Sequence, residues 1–213
     1  LIEIGVKKTE LNNGAKFVDL FSGTTIVAQY FKKNGYTVIA NDFLEFSYAL
    51  AKTYIELNEE PKFLKLKKYL EVGQIDKNYV IGYLNNLSPK KGFIFDNYCP
   101  NGKGQRQYFS NENGQKIDAI REKIEEWKNL SVISELEYYY LITAVLEAVN
   151  LVSNVAGTYS AYLKIWDQRA VKPLILTSPE IIPSKRNNKA FKKDANQLIR
   201  EIKNIDILYL DPP

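Results

Sequence analysis

Histidine and methionine are both absent from this chain of 213 residues, and cysteine occurs once, at Cys99. Without histidine a zinc-type ligand set cannot be assembled, and no metal site is expected. The single cysteine excludes an internal disulfide framework, and with no imidazole to activate it Cys99 is not expected to act as a nucleophile. No apolar run approaches the roughly 20 residues of a membrane helix, and the start has no charged-then-apolar leader pattern, so the chain reads as cytoplasmic. Any chemistry has to proceed without histidine.

What is present is a substantial core composition, 45% apolar and 13% aromatic, enough for one or two globular domains. The net charge of +4, from 29 Lys+Arg against 25 Asp+Glu, is too small to point to nucleic acid by itself. Its distribution says more. Lys185, Arg186, Lys189, Lys192 and Lys193 fall together, as do Lys164, Arg169 and Lys172, while acids gather in helical stretches such as Glu122 to Glu126. Each basic run fits a binding patch or a solvated face equally well.

Lys16 to Leu20 reads as a strand, Phe21-Ser22-Gly23-Thr24 as the turn after it, and Ile26, Val27, Tyr30 and Phe31 recur at helical spacing. Gly23 lets the backbone approach a ligand without a Cβ in the way, and Thr24 or Thr25 can cap the helix. A second strand, Thr37 to Ala40, leads to Asn41-Asp42-Phe43. Asp42 lies near the ~20-residue spacing at which an acid meets ribose hydroxyls in such units, although it also suits a plain cap for the helix that follows.

Helical patterns run over Glu45 to Leu57, Lys62 to Leu70 with Pro61 as the break, and Gln74 to Leu84. Phe93 to Phe95 reads as a strand or extended segment, and Asp96 to Ser110 as a loop whose aromatics, amides and Arg106 suit a mobile nucleic-acid contact and equally a surface loop with no function. Ile117 to Lys128 and Glu135 to Asn150 are the strongest helices, and Tyr138, Tyr139 and Tyr140 fit core and rim positions. The segment from Asn154 to Arg169 interleaves glycine, hydroxyls, aromatics and cations. Asp194 precedes a helix through Leu198, Ile199 and Ile202. Ile205 to Leu210 reads as a buried parallel strand that delivers Asp211, after which Pro212 and Pro213 form a stiff turn with free carbonyls.

Taken together, Asp19-Leu20-Phe21-Ser22-Gly23, the Asn154 to Lys164 segment and Asp211-Pro212-Pro213 resemble the signature of amino-methylating DNA methyltransferases. The resemblance is to the D12 class, Dam-like group of adenine-specific N6 enzymes, in the branch paired with type II restriction enzymes. It implies an α/β, Rossmann-like fold that uses S-adenosylmethionine, with an inserted, mostly helical DNA-recognition region. Residues 1–84 and 170–213 would then form the cofactor-binding catalytic domain, and 85–169 the target-recognition region. By the same resemblance Asp19, Phe21, Ser22, Gly23 and Thr24 line the first cofactor turn, Asp42 and Phe43 meet the ribose, and Asp194 and Ala195 meet the cofactor's adenine. Asp211, Pro212 and Pro213 would be catalytic. Arg106, Tyr159, Lys164 and Arg169 would face double-stranded DNA, with a cognate restriction endonuclease as a functional partner outside any stable complex. Thr25 departs from the pattern, which usually has glycine there. The start at Leu1 and the stop inside the last motif lead to the expectation of a chain truncated at both ends. Two alternatives stay open: a non-catalytic DNA-binding specificity subunit, and an amino-methyltransferase acting on RNA or on a protein glutamine, although the glutamine type normally has Asn in place of Asp211.

Overall fold

The computed structural model describes residues 14–157 and 161–212. Contacts divide the chain into two compact units, one made of Leu1–Glu60 with Glu180–Pro213 and the other of Pro61–Pro179.

The first unit is built on a four-stranded parallel sheet in the order β3-β2-β1-β4, with β1 at Lys16–Asp19, β2 at Thr37–Asn41, β3 at Lys189–Phe191 and β4 at Ile207–Tyr209. Helix α1, Ile26–Lys33, joins β1 to β2. Helix α2, Glu45–Ala51, runs on into a π-helical turn at Lys52–Glu56. A parallel sheet needs apolar cover on both faces, and side-chain alternation along β1 provides it. Phe17 points into one cluster, stacked on Phe31 with ring centroids 3.7 Å apart and packed with Val38, Ala40 and Ile55. Val18 and Leu20 pack against Leu198, on the other side of the strand.

Two strands differ from expectation. β3 carries no periodic signal in the sequence; its three residues are fixed by side chains, Asn188 Oδ1 accepting from Val38 N at 2.8 Å and Glu56 from Ala190 N at 3.0 Å. β4 is parallel to β1 as expected but is not buried: it is the outer strand among the described residues, and Leu208 and Leu210 are 43% and 56% exposed. Lys32 is buried, and its ammonium donates to Tyr54 O at 2.9 Å and Leu57 O at 2.6 Å, at the end of the π turn. Burial lowers its pKa to about 7.

The second unit is helical: α3 Leu64–Tyr69, α4 Lys77–Asn85, α5 Phe93–Tyr98, α6 Asn111–Asn129 and α7 Glu135–Leu151. Ser110 caps α6, and Ser134 with Glu137 forms a capping box that starts α7. Ile117, Ile120, Ile124 and Trp127 make the buried face of α6, as their spacing predicts. Tyr140 is buried with its hydroxyl on Pro179 O at 3.2 Å, and Tyr138 sits at the rim with its hydroxyl on Glu125 at 2.6 Å.

Phe93 to Phe95 is the first turn of α5, not a strand. The reason lies on another helix, because the Asp118 carboxylate accepts from Ile94 N and Phe95 N, both at 2.8 Å, and so caps a helix whose own sequence offers no cap. This unit contains all of 85–169 and extends beyond it at both ends. Asn113 donates to Ala170 O at 3.2 Å and Lys172 O at 2.9 Å and accepts from Leu174 N, while Asn85 brackets Leu176 through its N–H and its carbonyl. Residues 170–176 are thereby bound to the helices, not to the sheet as the expected boundaries had it. Among the described residues no helix is long and apolar enough to cross a membrane.

Candidate functional site

Each of the four parallel strands carries an aspartate at or just beyond its carboxyl end. In sheet order these are Asp194 after β3, Asp42 after β2, Asp19 at the end of β1 and Asp211 after β4. Sequence order and spatial order part at β1, which has β2 on one side and β4 on the other. In open α/β sheets this reversal, at the carboxyl edge, is where ligands bind.

The turn after β1 is held by backbone and carboxylate together. Ser22 N donates to Asn41 O at 2.9 Å, Thr25 N to Ser22 O at 2.6 Å, and Gly23 N to Asp42 Oδ2 at 2.8 Å; Asp42 Oδ1 accepts from Leu44 N at 2.9 Å. Asp42 is therefore a clamp on the turn, and the cap position of α2 belongs to Leu44. Gly23 has φ +48°, and the position a Cβ would take has no atom within 4 Å, so the backbone there borders open space. Ser22 is buried with its hydroxyl unpartnered. Thr24 is exposed. Thr25 takes the left-handed conformation usual for glycine, φ +66°, and does not cap α1 through its side chain; its hydroxyl accepts from Gln29 Nε2 at 2.9 Å instead.

Asp19 is 1% exposed, and that burial raises its carboxyl pKa to about 7. A bond from Phe21 N at 3.3 Å works against the rise, while the Asp42 and Asp211 carboxylates add to it. Asn41, which sequence reasoning passed over, joins three segments at this edge: it donates to Leu20 O and Lys193 O, both at 3.1 Å, and accepts from Lys193 N at 3.0 Å. Phe43 stands 76% exposed, with Ile26, Leu44 and Phe46 also exposed around the turn. Asp194 caps helix α8, Ala195–Glu201, accepting from Gln197 N at 3.1 Å. Asp211 and Pro212 are exposed, with the Tyr209 hydroxyl 3.4 Å from Asp211. Pro213 lies outside the described residues.

In the second unit Arg106 and Lys164 are exposed, and Arg169 is exposed while paired with Asp167 at 3.1 Å. Tyr159 lies outside the described residues. The stretch from Asp96 to Ser110 corrects the expected mobile stacking loop, since Tyr108 and Phe109 are buried. A Cβ on Gly102 would lie 2.0 Å from Phe95 O, and Gln107 donates to Leu163 O and Lys164 O at 3.2 Å. Its glycines and amides serve close packing. Buried Asn154 holds both this stretch and the next, donating to Gln107 O at 3.1 Å and Leu163 O at 2.8 Å and accepting from Asp167 N at 2.9 Å.

Cys99 is buried against Gly114 with its thiol pushed up to about 12 by burial, as an inert packing group. The basic run from Lys185 to Lys193 is largely engaged internally: Lys189 pairs with Glu56, Lys192 with Glu45, Lys193 with Glu201, and Arg186 donates to Gly35 O.

Residues 4–213 match the family model of D12 class N6 adenine-specific DNA methyltransferases. The chain is 44% identical over 200 residues to the modification methylase StsI of Streptococcus sanguinis, covering 92% of this chain and 29% of that protein. It is 45% identical over 200 residues to the type II methyltransferase M.FokI of Planomicrobium okeanokoites, covering 92% and 30%. To M.NlaIII of Neisseria lactamica it is 41% identical over 213 residues, covering 97% and 60%. The chain thus spans less than two thirds of the length of each of these relatives. No solved structure matches it.

Proposed function

The chain belongs to the D12 class N6 adenine-specific DNA methyltransferases, and on that premise we propose that its protein transfers a methyl group from S-adenosylmethionine to the N6 of adenine in double-stranded DNA. Its biological place is modification alongside a restriction endonuclease, without a stable complex between the two, in the cytoplasm. The observation that carries this reading is the row of four carboxylates along one edge of a parallel sheet, with an open glycine turn between them. The strand order is that of the first four strands of a Rossmann-like fold.

The residues present fit the cofactor. Open space at Gly23 admits a ligand against the backbone, and the unpartnered Ser22 hydroxyl offers it a hydrogen bond. Asp19, Phe21, Ser22, Gly23 and Thr24 form the first wall. Asp42 spends one lone pair of each oxygen on a backbone N–H, and an ionised carboxylate has about four acceptor sites, so capacity remains for ribose hydroxyls beside Phe43. Asp194 and Ala195 serve the adenine end. When bound, S-adenosylmethionine supplies an electrophilic methyl group on a sulfonium.

For the target base, the chain supplies acceptors. The adenine amine is conjugated to its ring and is a weak nucleophile. Asp211 and the Pro212 carbonyl accept its two hydrogens and hold its lone pair toward the methyl group, so positioning carries much of the acceleration. The base must leave the duplex to reach these groups, and Arg106, Tyr159, Lys164 and Arg169 hold the DNA while it does so. Incubating the full-length protein with a plasmid and S-adenosylmethionine, followed by modified-base sequencing, should reveal N6-methyladenine in one defined sequence context. Plasmid free of methyladenine would overturn the proposal.

A further inference from the structure

Asp19 is buried at the end of β1, and among the described residues no cation pairs with it. The titratable groups that face it come from the two neighbouring strands: Asp42 beyond β2, and Tyr209 and Asp211 at and beyond β4. The turn from Leu20 to Thr25 carries no charged side chain and offers the Phe21 N–H. Helix α1 has its cations, Lys32 and Lys33, in its last turn, with Lys32 engaged by the carbonyls of Tyr54 and Leu57. Beyond β3, Lys192 pairs with Glu45 and Lys193 with Glu201, and Asp194 accepts from Gln197 N. A buried carboxylate flanked by two others, with no positive partner, is a charge that the protein alone does not stabilise.

The sheet order puts β1 between β2 and β4, with neighbouring strands about 4.8 Å apart. We propose that Asp19 is the counter-charge for the sulfonium of S-adenosylmethionine, ionising when the donor binds and holding its proton when the demethylated product, S-adenosylhomocysteine, takes the same place, so that the site tells donor from spent cofactor. This rests on the function proposed above, in which Asp42 meets the ribose and Asp211 the target amine. The sulfonium is bonded to the 5′ carbon of that ribose and bears the methyl group that the amine receives. It therefore belongs between Asp42 and Asp211, over the end of β1. A positive charge there favours the ionised carboxyl, whereas a thioether is neutral. The α-ammonium and carboxylate are common to both cofactors and give no discrimination.

The test is isothermal titration calorimetry of the full-length protein with S-adenosylmethionine and with S-adenosylhomocysteine, each in buffers of different ionisation heat so that protons exchanged on binding are counted. The range is about pH 5.5 to about pH 7, where both ligands keep the α-ammonium charged. The free Asp19 carboxyl holds its proton up to about pH 7, so a ligand that favours the ionised form binds better as the pH approaches that value. Wild type should release most of one proton on binding S-adenosylmethionine at about pH 6 and almost none on binding S-adenosylhomocysteine, and affinity for the donor alone should rise about tenfold across the range. Asp19→Asn, neutral and of the same shape, should match wild type at the acid end, release no proton with either ligand and gain no affinity toward neutrality. Equal proton release with both ligands on wild type would overturn the proposal without recourse to a variant. So would release that survives in Asp19→Asn, or a loss of affinity in that variant that is the same at every pH and for both ligands, the mark of a structural role. Wild-type protein that binds neither ligand would overturn the function itself and this inference with it.

Discussion

Asp19 and Asp42 end neighbouring strands at the sheet edge yet differ in surroundings, the one buried and the other clamped to two backbone N–H groups. Asp42 accepts from two backbone donors, so Asp42→Ala removes a clamp on the turn and, under the proposed function, a group that meets the cofactor's ribose. Titration with S-adenosylmethionine should show affinity falling by about 1.5–3 kcal/mol for each hydrogen bond lost to the charged acceptor. Unaltered affinity would remove Asp42 from the cofactor site. Asp19 is buried and holds its proton up to about pH 7, against an ordinary value of 3.8. With the folded pKa raised, its contribution to stability is complete below about pH 4 and is lost as the pH climbs through 7. Asp19→Asn, neutral throughout, should flatten that fall in urea denaturation across this window. Under the proposed function the loss at Asp211 is in turnover: Asp211→Ala in the full-length protein should abolish most methyl transfer while leaving cofactor affinity nearly intact, because its hydrogen bond to the amine would tighten in the transition state. An active Asp211→Ala enzyme would refute that mechanism.

At the scale of elements, legibility in the sequence followed whether an element carries its own instructions. Helices α6 and α7 carry their apolar stripes within their own stretch and were readable from them, although α6 begins at Asn111 behind its Ser110 cap, six residues before the expected start at Ile117. The strand-turn-helix around Gly23 was readable for the same reason, and with it Asp19, Gly23 and Asp42. Helix α5 was not, because its cap is Asp118, a residue of α6 separated from Ile94 by 24 positions. Strand β3 was not, because Asn188 and Glu56 set its pairing from outside. Asn41, Asn113 and Asn154, whose roles depend on remote backbone groups, are buried splints in the structure. Asp118→Ala leaves the amide groups of Ile94 and Phe95 without their acceptor and should cost about 1–3 kcal/mol in chemical denaturation, with α5 the first segment to lose hydrogen-exchange protection.

On the scale of the whole molecule, the second unit is one uninterrupted stretch of chain, whereas the first is assembled from both ends of the sequence. β1 and β2 cannot complete their sheet until residues 189–209 arrive. Local contacts form faster than remote ones. Residues 61–179 expressed alone should therefore fold, giving a cooperative thermal melt by circular dichroism; a gradual, non-cooperative loss of signal would show that the unit depends on the sheet.

The four aspartates along the sheet edge sit on four different strands, and their spacing is set by the distance between hydrogen-bonded neighbours, not by the length of any connection. Connections can lengthen without moving the acids. The whole of residues 61–179 enters between β2 and β3 on that basis, as an insertion that leaves the ruler unmarked. Under the proposed function, the part of the protein that chooses a DNA sequence and the part that holds the methyl donor would then be free to diverge at different speeds, and a lineage could change the word it marks while keeping the pen.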